Sequence, residues 1–227
     1  MIKINEIFYS LQGEGFLAGI PSMFIRLSGC PLRCRWCDTK FALDENSGTE
    51  KSIEEIISEI DKVQCNHVVI TGGEPMINPQ LSTLVDEIHK KGKHITIETS
   101  GIAYVSDLKC DLISISPKLS NSIPEDAKLK AVHEHSRLDL AILGEIIDNY
   151  EYQFKFVVEQ ESDLEEIKET LKRLENVNYG KVMLMPQALN REEYLRKSQL
   201  VAELCKKNGF AFSPRLQVLL WNNQRAC

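Results

Sequence analysis

The sequence predicts an α/β fold in which about six parallel strands form a curved, open sheet covered on the outside by helices. Short β-branched segments alternate along the chain with longer segments that have helical apolar periodicity. The predicted strands are almost continuously apolar, which is typical of parallel strands buried on both faces. Six such segments are too few for a closed eight-stranded barrel. We therefore expect an incomplete barrel.

The elements follow one another in regular order. An alternating strand is predicted at 4–11, ahead of the glycine-containing turn at 12–15, and a last short strand at 210–212. Ser52 and Glu55 have capping-box form, and Ser162 caps a later helix. Asn78 is predicted to cap a helix that ends at Gly92. The six parallel strands are predicted at 22–27, 67–71, 94–97, 112–115, 153–158 and 181–185, and two further helices at about 138–149 and 191–207.

Composition narrows the class of protein. The chain has 227 residues, 43% of them hydrophobic, and no linker or low-complexity segment divides it, which favours one domain. A net charge of −6 argues against nucleic-acid binding, and the apolar runs are too short for a membrane span. The start of the chain lacks the pattern of a secretory leader, and the number of cysteines is odd. We expect a cytoplasmic enzyme or binding protein in a reducing compartment.

Three cysteines are concentrated in one loop. Cys30, Cys34 and Cys37 lie within eight residues, directly after the first parallel strand, in a segment that contains Gly and Pro. Closely spaced thiolates suit a soft metal ion or an iron–sulfur cluster. Three thiolates are one fewer than a closed site needs. Either a distant Cys or His completes a structural zinc site, or one metal position stays open for another ligand.

Five clusters of unusual residues lie where predicted strands end. Ligands in parallel α/β folds bind at this edge of the sheet. In the cluster 72–75, Gly72 and Gly73 would let the main chain approach a ligand closely. A carbonyl there or the Glu74 carboxylate could accept a hydrogen bond from an ammonium group. The clusters are the cysteine loop 28–39, then 72–75, 98–101, 116–118 and 185–187. Five such clusters predict a binding site.

Arg26 indicates the charge of a ligand. It ends an apolar strand beside the cysteine loop, where an unpaired charge would be costly. A guanidinium group binds a carboxylate through two parallel hydrogen bonds, so a carboxylated substrate is one interpretation. Pairing of Arg26 with Asp38 or Glu14 is the other.

The cysteine spacing resembles the Cys-x-x-x-Cys-x-x-Cys loop of radical S-adenosylmethionine (SAM) enzymes, and 72–75 resembles their Gly-Gly-Glu-Pro element. With the segments 9–15, 24–30, 34–39, 98–101, 116–118 and 213–215, the chain resembles the 7-carboxy-7-deazaguanine synthase family over almost its whole length. The Cys-Asp-Thr triplet at 37–39 is the most discriminating part. The resemblance implies one radical SAM domain over 1–227, with an incomplete (partial) TIM-like barrel. It also implies a substrate-side extension at 1–21 and a tail near the site at 213–227.

The resemblance also implies a set of site residues and three cofactors, a 4Fe–4S cluster, SAM and Mg²⁺. The cluster ligands would be Cys30, Cys34 and Cys37, and the Mg²⁺ ligand Thr39. SAM would be bound by Trp36, Cys37, Asp38, Gly73, Glu74, Ser100, Ser116, Pro117, Lys118, Met185, Pro186, Gln187 and Ala188. The substrate would be bound by Leu11, Gln12, Gly13, Glu14, Arg26 and Thr71.

In the family that the chain resembles, a 5′-deoxyadenosyl radical removes hydrogen from carbon 6 of 6-carboxy-5,6,7,8-tetrahydropterin. Ring contraction and loss of ammonia then give the precursor of queuosine and other 7-deazapurines. The resemblance implies a reductant such as flavodoxin or ferredoxin, and a homodimer. Some members contribute a C-terminal proline carboxylate, which this chain lacks. Arg215, Gln217, Trp221 and Cys227 are candidates for the same wall.

Two alternatives remain open from sequence. A glycyl-radical-enzyme activase shares the cysteine loop and the small size, but acts on a large protein and needs neither Arg26 nor the triplet at 37–39. A zinc-binding interaction module is the alternative from another class of protein.

Overall fold

A nine-stranded sheet organises the chain, and the computed structural model describes residues 1–227 throughout. The strands are β1 Ile2–Leu11, β2 Pro21–Leu27, β3 Thr49–Lys51, β4 His67–Gly72, β5 His94–Thr99, β6 Leu112–Ile115, β7 Tyr152–Val158, β8 Val182–Pro186 and β9 Ala211–Phe212. The helices are α1 Ile53–Asp61, α2 Leu81–Lys90, α3 Ala127–Ser136, α4 Leu140–Asn149, α5 Asp163–Arg173, α6 Arg191–Asn208 and α7 Leu216–Trp221.

The sheet is open, as predicted. Its order is β3-β1-β2-β4-β5-β6-β7-β8-β9, and every pair from β2 to β9 is parallel. Strands β1 and β3 add an antiparallel edge beside β2. The six predicted parallel strands and the short last one are all present. The predicted α/β class with an incomplete barrel is therefore confirmed.

The two faces of the sheet differ in chemistry because side chains alternate along each strand. In β7, Phe154 and Phe156 belong to the large apolar cluster, whereas Gln153 and Lys155 lie on the opposite, inner face. In β2, Ile25 faces the apolar cluster and Arg26 faces the inner cavity. Helices bury the apolar face, and the concave inner face is left to hold polar groups.

The N-terminal turn enters the concave side of the sheet. The main-chain N–H of Gly15 donates to Ser213 Oγ at 3.0 Å, and that of Phe16 donates to Gln153 Oε1 at 2.9 Å. A Cβ at Gly15, whose φ is +74°, would lie 2.2 Å from Gln153 Nε2. A glycine is needed here both for the left-handed backbone and for this close approach.

Helix starts were predicted with mixed success. The Ser52 capping box is confirmed, with Glu55 N donating to Ser52 Oγ at 3.2 Å and Ser52 N donating to Glu55 Oε2 at 2.6 Å. Helix α2 begins at Leu81, two residues later than predicted, so Asn78 does not flank it directly. The Asn78 side chain nevertheless accepts from Gln80 N at 2.9 Å, the hydrogen bond expected of a cap.

Ser162 precedes α5 but its side chain makes no capping hydrogen bond. The neighbouring Asp163 carboxylate accepts from Glu159 N at 2.7 Å and Gln160 N at 3.1 Å, and so closes the loop before the helix. Strand β3 and helices α3 and α7 were not predicted. No helix in the structure combines the length and apolarity that crossing a membrane requires.

Candidate active site

A cavity of about 300 Å³ lies at the carboxyl edge of the parallel strands and collects most of the predicted residues. It is lined by the three cysteines and Thr39, by Leu11, Gln12, Gly13, Glu14, Arg26 and Thr71, and by Trp36, Asp38, Gly73, Ser100, Ser116, Lys118, Met185 and Gln187. Four of the predicted residues, Glu74, Pro117, Pro186 and Ala188, do not line it. Residues more than 150 positions apart in sequence thus share one cavity.

The start of the cysteine loop is held by main-chain hydrogen bonds to residues 42–43, and its thiols are free. Gly29 N donates to Ala42 O at 2.9 Å and Cys30 N donates to Leu43 O at 3.1 Å. All three cysteines are unpaired and partly buried. Burial raises the pKa of Cys30 to about 12 and that of Cys34 to about 11, so iron must displace protons from these thiols when it binds.

Three free thiols that line one cavity suit an iron–sulfur cluster. No group of three or more His, Cys, Asp or Glu side chains is placed to hold one metal ion. In an iron–sulfur cluster each thiolate binds a different iron, so the sulfur atoms do not have to converge on one point. Three thiolates would leave the fourth iron open toward the cavity.

The Gly72-Gly73 turn packs directly against the main chain of the cysteine loop. Gly73 N donates to Leu27 O at 3.0 Å and Glu74 N donates to Gly29 O at 2.8 Å. A Cβ on Gly73 would lie 2.0 Å from Gly29 O, a contact that no side chain tolerates. The second glycine therefore sets how closely the two ligand-binding loops approach one another.

The Glu74 side chain points away from the cavity. Its carboxylate, in a residue only 2% exposed, accepts from Met76 N at 3.2 Å, Thr99 Oγ1 at 2.7 Å and Ser100 N at 2.8 Å. The Ser100 hydroxyl donates as well. This use of the carboxylate differs from the expected contact with a ligand ammonium group. Glu74 instead joins the glycine turn to the end of β5.

Lys118 and Trp36 form another part of the cavity wall. The Lys118 ammonium donates to Ser116 O at 2.6 Å and Ser116 Oγ at 2.9 Å, and lies 5.8 Å from the centre of the Trp36 indole ring. Met185, at the end of β8, faces the same space, and the Gln187 side chain accepts from Lys197 Nζ at 2.5 Å. Hydroxyl, ammonium and apolar groups are therefore available to a nucleoside.

The inner end of the cavity contains a buried ion-pair network that sequence analysis missed. Lys155, 1% exposed, places Nζ 2.8 Å from Glu14 Oε2 and 2.7 Å from Glu98 Oε2. Burial alone would raise the pKa of Glu14, but Lys155 and Arg215 lower it to about 2. Burial likewise opposes the charge on Lys155, and Glu14 and Glu98 nevertheless raise its pKa. Glu14 and Lys155 are therefore both ionised at neutral pH.

The C-terminal segment completes this network. Arg215 Nε lies 3.3 Å from Glu14 Oε1, its Nη2 lies 2.5 Å from Asp38 Oδ2, and Gln217 Nε2 donates to Glu14 Oε1 at 2.7 Å. Arg215, Gln217 and Cys227 line the cavity, whereas Trp221 does not. Asp38, which stands beside the cluster cysteine Cys37, is thus linked to the N-terminal turn through one guanidinium group.

Arg26 pairs with a carboxylate that was not considered from sequence. Its Nε donates to Glu6 Oε2 at 2.9 Å, and neither Asp38 nor Glu14 is its partner. The other Glu6 oxygen lies 2.6 Å from Arg225 Nε, and the Arg225 guanidinium lies 3.7 Å from the centre of the Phe41 ring. The two terminal nitrogens of Arg26 make no hydrogen bond within the chain and remain available to a ligand.

Thr39 presents an oxygen atom that is not used by the fold. Its side chain makes no capping bond at the 3-10 turn that it precedes, and its Oγ1 lies 3.7 Å from Cys37 Sγ, its one polar neighbour. Since Thr39 lines the cavity beside the cysteines, this hydroxyl could bind a hard cation there.

An open α/β sheet with a three-cysteine loop and a glycine turn at one edge defines a radical SAM enzyme. The model of the radical SAM superfamily matches residues 24–137, which span the cysteine loop and the glycine turn. The chain is 40% identical to 7-carboxy-7-deazaguanine synthase of Halobacterium salinarum, over 98% of this chain and 91% of that protein. It is 39% identical to the synthase of Rhodopirellula baltica, over 99% and 88% respectively.

The structural comparison agrees. The crystal structure of QueE from Escherichia coli superimposes with a TM-score of 0.71 and 28% sequence identity, covering 93% of this chain and 92% of that one. The chain belongs to the 7-carboxy-7-deazaguanine synthase family of radical SAM enzymes. This membership favours neither an activase nor a zinc-binding module, and it implies a 4Fe–4S cluster and SAM as cofactors.

Proposed function

We propose that this enzyme converts 6-carboxy-5,6,7,8-tetrahydropterin to 7-carboxy-7-deazaguanine with release of ammonia, in a Mg²⁺-dependent reaction. One observation carries the proposal. A single cavity is lined both by the three free cysteines and by Glu14, Glu98 and Arg26. A cofactor held by the cysteines and a small polar substrate held by these charged groups would share that one cavity.

The cofactor end would be formed by residues near the cysteines. Cys30, Cys34 and Cys37 would hold the cluster, while the main chain at Gly73 and the side chains of Ser116 and Lys118 would hold SAM. When bound, the reduced cluster and SAM supply the radical that removes a hydrogen atom from the substrate. The protein positions the two partners and keeps water away from them. In the same proposal Ser100, Trp36, Asp38, Met185 and Gln187 line the SAM site, and Pro117, Pro186 and Ala188 support it from behind.

The substrate end suits a pterin because it offers fixed acceptors. The amino group and ring N–H of a 2-amino-4-oxopyrimidine are donors, and charged carboxylates are their strongest acceptors. Lys155 keeps Glu14 ionised and places Nζ 2.7 Å from Glu98 Oε2, and Gln12 Nε2 donates to Glu98 Oε1 at 3.1 Å, which fixes that second carboxylate. The main chain at Leu11 and Gly13 and the Thr71 side chain would contact other edges of the ring.

The substrate carboxylate would bind the terminal nitrogens of Arg26. Glu6 already orients this guanidinium through Nε, so the two free nitrogens form a fork of fixed direction. An Arg26→Lys variant keeps the charge but loses the fork. We expect it to raise KM for the carboxypterin by at least about tenfold, the size of one lost charge-assisted hydrogen bond.

Mg²⁺ would bind Thr39 Oγ1 together with substrate oxygens and water, a set of hard ligands that this ion prefers. A Thr39→Ala variant should lose most of the stimulation by Mg²⁺ and keep its cluster and its SAM binding. Thr39→Ser is the matched control and should retain the stimulation. Equal magnesium dependence in the wild type and Thr39→Ala would remove Thr39 from this role.

Three further features are proposed on family grounds. We expect a flavodoxin or ferredoxin as reductant, a homodimer, and a cytoplasmic location. Sedimentation velocity at micromolar concentration measures the oligomeric state, and a purely monomeric boundary would contradict the dimer.

The proposed reaction is tested by supplying the anaerobically reconstituted enzyme with SAM, reductant, Mg²⁺ and the carboxypterin, and following products by mass spectrometry. We expect a product with the mass of 7-carboxy-7-deazaguanine and release of one ammonia. Cleavage of SAM without that product would refute the proposed substrate. A colourless preparation that binds zinc and lacks acid-labile sulfide would refute the cofactor as well.

A further inference from the structure

A histidine outside the cavity holds the middle of the cysteine loop. His133 lies on α3, is 1% exposed, and is the one buried residue of that helix. Its Nδ1 accepts from the main-chain N–H of Arg33 at 3.1 Å. Arg33 stands between Cys30 and Cys34, so this bond reaches the main chain between two cluster ligands.

The hydrogen bonds determine the protonation of the ring. A main-chain N–H can only donate, so Nδ1 of His133 carries no proton. The other ring nitrogen, Nε2, lies 2.9 Å from Ser122 Oγ, and that hydroxyl gives its own proton to Leu119 O at 2.6 Å. Ser122 Oγ is therefore the acceptor and His133 is the neutral Nε2–H tautomer. Burial lowers the pKa of His133, which agrees with the neutral ring.

The same short segment holds the loop at two more points. Arg35 N donates to Ser122 O at 2.9 Å, and the Trp36 indole N–H donates to Asn121 O at 3.0 Å. Asn121 is itself fixed, since its amide donates to Val157 O at 3.0 Å and to Asp163 Oδ2 at 2.8 Å. The loop is therefore connected through residues 119–122 to the end of β7.

Apart from this contact, helix α3 contributes little to the apolar core. Its large apolar side chains are exposed, Leu129 at 42% and Val132 at 60%. A helix that buried an apolar stripe would be held by packing. Here the buried side chain is an imidazole, which makes one bond to the cysteine loop and one to the segment behind it.

We propose that His133 is a positioning residue for the cluster, which fixes the Arg33 main chain so that Cys30 and Cys34 present their thiolates at a constant spacing. The inference rests on the proposed cluster but not on the proposed substrate. Loss of the Nδ1 acceptor frees the loop and leaves the partly buried Arg33 N–H without its acceptor. The cluster is then held less tightly and its electronic environment becomes heterogeneous.

A pair of substitutions separates the acceptor from the bulk of the ring. Asn at position 133 places its oxygen close to where Nδ1 stands, whereas Gln places its amide near Nε2 and leaves Arg33 N–H without an acceptor. His135, exposed on the same helix, supplies the control variant His135→Ala. Ser122→Ala removes the partner of Nε2 and leaves His133 itself in place.

The experiment measures cluster loss to an iron chelator under anaerobic conditions and the electron paramagnetic resonance spectrum of the reduced cluster with and without SAM. We expect His133→Gln to lose iron about five to ten times faster than the wild type, the effect of one partly buried hydrogen bond. It should also show a broadened spectrum. His133→Asn and His135→Ala should match the wild type within about twofold, and Ser122→Ala should lie between.

Two results would overturn the proposal. One is a His133→Gln enzyme with the wild-type rate of iron loss and spectrum. The other is a His133→Asn enzyme as damaged as His133→Gln, because the ring would then act only by filling space. If His133→Gln does not accumulate, Ser122→Ala decides, and a wild-type rate in that variant refutes the role. A wrong substrate would abolish product in every variant, including the wild type, without changing these two measurements.

Discussion

Replacing Lys155 by Met tests the ion-pair network of the cavity most sharply. Met has nearly the same length and removes the charge from a side chain that is 1% exposed. Glu14 and Glu98, each within 2.8 Å of the ammonium group, would lose their common partner. Breaking a buried ion pair costs more than forming it contributes, because the remaining charge stays buried and unpaired.

The magnitude follows from two independent estimates. The pKa of Glu14 falls from 4.5 to about 2, which corresponds to roughly 3 kcal/mol of net interaction with Lys155 and Arg215 together. Removal of one partner from a buried pair typically costs about 3–5 kcal/mol. For a chain of this length a loss of about 4 kcal/mol lowers the melting temperature by roughly 10 °C.

The assay is thermal and urea unfolding of the iron-free, reduced chain, so that cluster loss does not contribute. Lys168→Met on the exposed face of α5 is the matched control and should leave the free energy of unfolding unchanged within about 0.5 kcal/mol. The pH dependence identifies the cause. In Lys155→Met, Glu14 keeps only Arg215 and Gln217 against the cost of burial, so its pKa rises and protonation relieves the defect as the pH falls from 7.5 to 5.5.

A deficit in Lys155→Met that is the same at both pH values would refute the electrostatic explanation and leave only a packing defect. In the wild type, lowering the pH has the opposite effect on stability. The native pKa of Glu14 is depressed, so its contribution is complete above the unfolded value of 4.5 and is lost as the pH falls toward 2.

Two further predictions concern a loop contact and a pH effect. Gly73→Ala should reduce iron loading at least about tenfold, because its Cβ would lie 2.0 Å from Gly29 O, whereas Gly144→Ala, which meets nothing within 4 Å, should load normally; equal iron content in both variants would contradict the contact. The tilted rings of His67 and His94 have their centres 4.7 Å apart, and both Nδ1 atoms lack a partner. Burial and the neighbouring His94 lower the pKa of His67. Stability should therefore fall as the pH drops below about 6.5, since the unfolded chain takes up the proton first. The free energy of unfolding, measured with urea at several pH values, should depend less steeply on pH in His67→Gln than in the exposed control His89→Gln. The same pH dependence in both variants would contradict this cause.

The parts of the molecule that sequence predicted are those with local signals. The cysteine spacing, the glycine turn and the period-two strands are each written within a few residues, and the order of strands in a parallel sheet brings their ends together. Most of the predicted site residues consequently share the cavity. Ser52 caps its helix as predicted because a capping box needs only four consecutive residues.

The parts that sequence missed depend on distant contacts. Lys155 lies within the strand Tyr152–Val158, and the one available signal was a single charge on the face opposite Phe154 and Phe156. Its partners are 141 and 57 residues away, which no local pattern records. Helix α3 was missed because it has no apolar stripe. Arg26 was given the wrong partners because Glu6 reaches it only through the antiparallel pairing of β1 with β2.

The most direct test of the account is whether the reaction needs an iron that is held by only three protein thiolates. Substrate deuterated at carbon 6 is turned over by the wild type and by Cys34→Ala, and the product and SAM are analysed by mass spectrometry. We predict unlabelled 7-carboxy-7-deazaguanine and deuterium in the SAM pool for the wild type, and neither for the variant. Product formation by Cys34→Ala, or by wild-type chain stripped of iron, would contradict the account.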